Sequence, residues 1–303
     1  VSDELAGLEA AIDAAPDDPS GYAVLGDWYQ QRGDPRGELI ALQLGRQQGD
    51  RRGREREDEL LHTRGVRLPH ARMVQWRWGF AHTLSFELVR HRGWETHLAD
   101  WPDAMLAPLL AHPSCRFLKE LVVDGSPGDA ALRFLSTKAP RHLRGLSLIC
   151  NELDLGLVGG DLRRLERLSV AAQLVTAAPL PCPTLDTLSV PLDALSQTGF
   201  VTVLQSVATT LRALTVTSLE ALNAKALEPV LSLPALERLT LKAERLGRAV
   251  VDALARSPLA QRLTTLDLSH SGITGDAAQR MLKLASRFDR LSSLVLGEAV
   301  DAG

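Results

Sequence analysis

The hexad L-x-x-L-x-L/V returns eight times between residue 118 and the end of the chain. It reads Leu118/Leu121/Val123, Leu143/Leu146/Leu148, Leu165/Leu168/Val170, Leu185/Leu188/Val190, Leu211/Leu214/Val216, Leu236/Leu239/Leu241, Leu263/Leu266/Leu268 and Leu291/Leu294/Leu296. Successive first leucines are 25, 22, 20, 26, 25, 27 and 28 residues apart. The last two apolar positions of a copy lie two apart, so they share one face of a short strand. The first lies three residues earlier, where the chain bends into that strand. A single hexad carries little information. Eight at this period predict strands stacked side by side, each burying its leucines against its neighbours because no copy can bury them alone.

The segments between hexads carry a different period. Asp129 to Leu135, Phe200 to Val207, Ala221 to Leu231, Ala249 to Ala255 and Asp276 to Ala285 place apolar residues at helical spacing, and Pro140, Pro234 and Pro258 follow helices they would end. The third and fourth copies, with Pro179, Pro181 and Pro183, predict irregular loops and a local change of curvature. The turn from Leu266 through Ser269, Ser271 and Ile273 to Asp276 resembles the leucine-rich-repeat pattern L-x-L-S-x-N-x-I, with Ser271 where Asn is usual. Asn151 holds the corresponding position in the second copy, whereas Gln173, Asp193, Leu219 and Glu244 stand there in others. The resemblance implies a turn bonded less regularly than an asparagine ladder. The expected fold is α/β: a leucine-rich-repeat solenoid over 118–303, with a parallel concave sheet and helices and loops on the convex side.

Residues 1–70 read as helices that cap this stack, since a first repeat without a cap exposes its leucines to water. Leu5, Leu8, Ala11 and Ile12 make a helical face over Glu4 to Ala14. After the Pro16-Asp17-Asp18-Pro19 turn, Tyr22 to Gln31 is a second helix, stopped by Gly33-Asp34-Pro35, and Gly37 to Gln47 a third. The run Gly26-Asp27-Trp28-Tyr29, followed by an intact Gly33-Asp34-Pro35-Arg36-Gly37-Glu38, resembles the bacterial repeat-companion domain found ahead of leucine-rich repeats. Gly26 and Tyr29 depart from that family's usual A-D-W-L. The family implies a fold and no biochemical activity. Asp27, Arg36 and Glu38 read as the salt-bridged frame of a helix–turn–helix, with a charged catalytic cluster as the alternative. Residues 71–117 form a junction: Trp76, Trp78 and Phe80 alternate and share a face if extended, and Leu84 and Phe86 continue as an entry strand. Such aromatics glue cap to repeats, or else form a docking site.

Composition narrows the function. Hydrophobic residues make up 45% of the chain but aromatics only 4%, so the core is aliphatic and repetitive. A net charge of −3 gives no general attraction to nucleic acid or an anionic membrane. Arg46 to Arg72 is arginine-rich but diluted by Asp50, Glu55, Glu57, Asp58 and Glu59, which reads as a solvated helix face. No apolar run reaches the ~18–20 residues of a bilayer span. Cys115, Cys150 and Cys182 are widely spaced and form no CxxC pair, which fits free thiols in a reducing compartment, and the chain is expected in the cytoplasm. Phosphate-loop, dinucleotide, nucleophile-elbow and zinc-protease motifs are absent. His91 and His97 around Trp94 and Glu95 lack a third metal ligand, so no metal or cofactor is expected; a cryptic enzyme at Trp94, Glu95 and His97 is a distant alternative.

The remaining candidate is the strand face away from the leucines. Between the last two apolar positions the copies read Val122, Ser147, Ser169, Ser189, Thr215, Thr240, Asp267 and Val295. The preceding column includes Glu120, Arg167 and Arg238, and the following one Asp124, Ile149, Ala171, Pro191, Thr217, Lys242, Ser269 and Gly297. Seven strand steps span roughly 34 Å, enough for a helix or a domain surface. The expected site is therefore Glu120, Ser147, Arg167, Ser169, Ser189, Thr215, Arg238, Thr240, Lys242 and Asp267, contacting a protein partner rather than nucleic acid or membrane. Small hydroxyls are also simply good exposed strand residues. The expected function is non-enzymatic protein binding; the alternative is a substrate-selecting or regulatory subunit of an enzyme encoded elsewhere.

Overall fold

Parallel strands form where the hexads predict them. In the computed structural model, which describes residues 3–50, 52–63, 66–68, 71–88, 101–126 and 128–297, the fold is α/β with a large, open, mostly parallel sheet of ten strands. The chain divides into two compact units. The first comprises residues 1–87, 103–121 and 140–142, the second 88–102, 122–139 and 143–303.

The first unit begins with four helices, α1 (Asp3–Ala14), α2 (Pro19–Gln30), α3 (Pro35–Gln47) and α4 (Arg54–Leu61). The turns predicted between them supply the caps. Asp18 accepts a hydrogen bond from Ser20 N at 2.9 Å with Pro19 in the first helical turn, and Asp34 does the same for Arg36 N with Pro35. Both helices thus start two or three residues earlier than apolar spacing alone indicates. Strands β1 (Ala71–Arg77) and β2 (Phe80–Glu87) follow as an antiparallel hairpin.

The hairpin changes one expectation. Trp78 does not share an extended face with Trp76 and Phe80, because Trp78 and Gly79 form the two-residue turn, with φ of 51° and 80°. Two consecutive positive φ values match the right-handed twist of a hairpin, but a bulky residue adopts one only when its surroundings compensate. Here Trp78 is buried, its Nε1 donates to Gln47 Oε1 at 3.0 Å, and its ring lies 4.7 Å from that of Tyr22. Gly79 N donates to Gln43 Oε1 at 2.9 Å, and a side chain at Gly79 would meet Ile40. Trp78 and Phe80 thereby join Ile12, Tyr22, Leu25, Tyr29, Ile40 and Phe117 in one core, while Trp76 packs against Leu39, Leu60 and Val66.

The second unit holds the regular ladder. Between α5 (Ala107–Leu110), which belongs to the first unit, and α6 (Gly128–Lys138) lies β3 (Glu120–Asp124). Then come β4 (Gly145–Asp154), β5 (Arg167–Thr176), β6 (Thr187–Pro191), α7 (Gln197–Val207), β7 (Ala213–Thr217), β8 (Ala221–Leu222), α8 (Glu228–Leu231), β9 (Arg238–Lys242), β10 (Arg245–Leu246), α9 (Arg248–Arg256), β11 (Thr265–Leu268), α10 (Gly275–Leu284) and β12 (Ser293–Leu296). From β4 onward the main sheet keeps chain order, β4-β5-β6-β7-β9-β11-β12, and every pair is parallel. Leu168, Leu188, Leu214, Leu239 and Leu266 are register partners in a row, each at most 1% exposed. Burying one such side chain contributes ~1.5–3 kcal/mol.

Between strands the helices fall mostly where expected. The exception is Ala221 to Leu231: Ala221–Leu222 pairs with Arg245–Leu246 as a short parallel ladder, and only Glu228–Leu231 is helical. The side chain of Asn223 accepts from Ala226 N at 2.8 Å and so stabilises a turn in place of a first helical turn. After the third copy, with its three prolines, residues 177–186 hold no helix, as predicted; after the fourth, α7 is regular.

The Gly33-to-Glu38 run and the strand-end groove

Each residue of the Gly33–Glu38 run has a structural task. Gly33, at φ 67°, ends α2. Asp34 caps α3 and grips the Arg36 guanidinium at 2.5 and 3.0 Å, and Arg36 lies 4.2 Å over the ring of Tyr29. Burial opposes the charge on Asp34, yet the hydrogen bonds from Arg36 hold its carboxyl below the usual value. A side chain at Gly37 would collide with Gln30 N and Gly26 O, so α2 and α3 approach through glycine. Glu38 takes a two-pronged hydrogen bond from Arg56 on α4 at 2.7 and 2.8 Å. Asp27, exposed on α2, is not drawn into this set. Nearby, Arg46 pairs with Glu57, Arg56 also with Glu59 and Arg52 with Asp50, so these three arginines of the stretch are met by its own acids.

Of the predicted strand-face residues, Glu120 falls in the first unit, where its charge acts on His82. Burial pushes the pKa of His82 down, and the positive charges of Arg77 and Lys119 add to this against Glu120 and Asp17. The folded state therefore binds fewer protons than the unfolded one. Stability is complete above the ordinary histidine pKa of ~6.5 and falls as pH drops from there toward the lowered value. Melting temperatures measured from pH 7.5 to 5.5 are expected to decline in the wild type and to decline less in His82→Gln.

The second unit brings the others together. Ser147, Ser169, Ser189, Thr215, Thr240 and Asp267 are consecutive register partners, an unbroken row across six strands, half-buried and facing away from the leucines. Arg167 and Arg238 lie one strand pleat before this row and Lys242 one after it. Arg167 is engaged by Glu166 at 3.7 Å, while Arg238 and Lys242 are exposed. The Asp267 carboxyl is held low first by hydrogen bonds from Ser269, then by the charges of His270 and Lys242.

Across the last residues of β3, β6, β7 and β9 and the middles of the longer β4 and β5, a groove of about 960 Å³ opens within the second unit. Its floor is the column after the hydroxyl row: Asp124, Ile149, Ala171, Pro191, Thr217 and Lys242. Asn151 of β4 and the turn residues Ser126, Asp193, Leu219 and His270 form its rim. The rim is tied copy to copy. Ser126 Oγ accepts from Asn151 N at 3.0 Å, and the Asp193 carboxylate accepts from Ser218 Oγ at 2.8 Å and from Leu219 N. Asp193 thus ties its turn to the one that follows β7. Leu219 is 88% exposed and Ile149 40%. Of the predicted site residues only Lys242 lines the groove. The others could be read from the hexad, but the groove depends on where each strand stops.

Among the described residues no group of three or more His, Cys, Asp or Glu could hold a metal ion, and no helix is long and apolar enough to cross a membrane. Trp94, Glu95, His91 and His97 lie outside the described residues. Burial pushes the thiols up, Cys115 to about 12, Cys150 and Cys182 to about 11. All three are protonated at neutral pH, and none is a ready nucleophile. No protein-family model matches the chain, and no curated protein gives a significant match to it.

Proposed function

We propose that this chain is a leucine-rich-repeat solenoid with a repeat-companion cap, and that it binds a partner protein, without catalysis, on the strand face opposite the leucines. The observation that carries the reading is the hydroxyl row from Ser147 to Asp267, aligned strand to strand and continuous with a groove whose rim is fixed by cross-copy hydrogen bonds. Small side chains let a partner approach the sheet closely and offer a donor or acceptor at each step. A surface already held in place loses little freedom on binding. The structural tasks found for Asp34, Arg36 and Glu38 support a framework role for the first unit.

The test is affinity capture with the full chain from its native cytosol, run beside Thr215→Trp/Thr240→Trp. These half-buried positions point off the sheet, so the bulky side chains obstruct the face without entering the core. Partners captured by the wild type are expected to be lost by the variant at an unchanged melting temperature. Capture of the same proteins in the same amounts by both would overturn the reading.

A further inference from the structure

The groove at the strand ends has a chemistry distinct from the hydroxyl row, and it indicates what occupies it. Resting on the binding reading above, we infer that the groove takes an extended peptide segment of the partner. This segment crosses the strand ends with aliphatic side chains at its centre and a carboxylate at the end that meets Lys242 and His270.

Three observations converge. The groove is long and open: its floor crosses from β3 to β9, five strand steps or ~24 Å, the length of about seven residues of extended chain. A compact small molecule would leave most of that length empty. The centre is apolar and shallow. Ile149, Ala171 and Pro191 lie in the floor and Leu219 stands on the rim, two of them large and well exposed, so aliphatic side chains would bury there. Charge is unequal along the length. Asp124 stands at the β3 end, while Lys242 stands at the other with the ring of His270, the carboxylate of Asp267 lying nearby but outside the lining. The central carboxylate, Asp193, is already engaged by Ser218 and Leu219. A bound segment is therefore oriented, acidic at the Lys242 end, and this polarity sets its direction more than its affinity.

A displayed library of random nonapeptides, selected on the full chain, tests this. The expected consensus carries two or three aliphatic residues with an Asp or Glu at one end. A fluorescein-labelled peptide of that consensus is expected to bind at least about tenfold more weakly to Lys242→Glu, and to regain affinity when its acid is replaced by Lys. Ala171→Trp fills the groove at an exposed position and is expected to abolish binding without changing the melting temperature. A consensus without an acid, or peptide binding that Ala171→Trp leaves intact, overturns the inference. So does saturable binding of anilinonaphthalene sulfonate in the groove with no peptide enriched, or a self-association in sedimentation that Ala171→Trp removes. If Ala171→Trp retains the captured partners while Thr215→Trp/Thr240→Trp loses them, the groove assignment fails and the strand-face reading stands. If both variants retain them, both fail.

Discussion

Replacing Phe80 by alanine is expected to lower the unfolding free energy of the first unit by about 3–5 kcal/mol. Phe80 is 2% exposed and lies at the centre of an aromatic cluster, its ring 4.8 Å from Phe117, 6.1 Å from Tyr22 and 6.5 Å from Tyr29. Truncation removes a large apolar area and the edge-to-face contacts, and leaves a cavity. Its neighbours cannot collapse into that cavity, because Tyr22 is held by Pro16 O and Trp78 by Gln47. Denaturant titration followed by tryptophan fluorescence measures the loss. A change below about 1 kcal/mol would mean that the hairpin is not packed on the helices as described. Leu219→Ala, on a side chain that is 88% exposed, serves as the control and is expected to shift stability by no more than about 0.5 kcal/mol.

Gly272→Ala is expected to destabilise the second unit by about 2–5 kcal/mol, combining the left-handed strain of a Cβ with overpacking. Gly272 has φ 51°, and a Cβ there would stand 1.9 Å from Glu244 O and 2.7 Å from its carbonyl carbon. Both obstacles are backbone, so no rotamer change relieves them. The collision also sits in a ladder: Leu246 N donates to Gly272 O and Thr274 N to Leu246 O, each at 3.2 Å. Separating the two segments would break both. Gly275→Ala, three residues on with open space around it, is expected to be neutral or slightly stabilising. Equal behaviour of the two alanine variants in thermal melts would refute the close approach.

The leucine rows were legible because a strand's side-chain period is two and a buried face tolerates no slip: Leu168, Leu188 and Leu214 had to align once each copy formed a strand. The hydroxyl row followed from the same parity. Trp78 was misplaced because alternation assumes an extended chain. Nothing in Trp76-Arg77-Trp78-Gly79-Phe80 shows that burial against Tyr22 and Gln47 sustains a tryptophan at positive φ. Ala221 to Leu231 misled for a related reason, since apolar spacing fits a helix while Asn223 favours a turn. The floor column itself was legible, since Asp124, Ile149, Ala171, Pro191, Thr217 and Lys242 each stand one residue beyond a hexad, but that it forms a groove was not. Whether Ile149, Ala171 and Pro191 meet there depends on how far β4 and β5 run, to Asp154 and Thr176, past the ends of their neighbours.

Sheet order that repeats chain order also governs how this unit comes together. Its strand pairings join residues between 20 positions apart, as Ser169 with Ser189, and 28, as Asp267 with Val295. Closing such loops costs nearly the same entropy each time, since even a doubling of loop length adds only ~0.6 kcal/mol. No pairing has to wait for a distant segment to arrive. Assembly can start at any adjacent pair and spread in both directions, as a zip closes from wherever its teeth first engage.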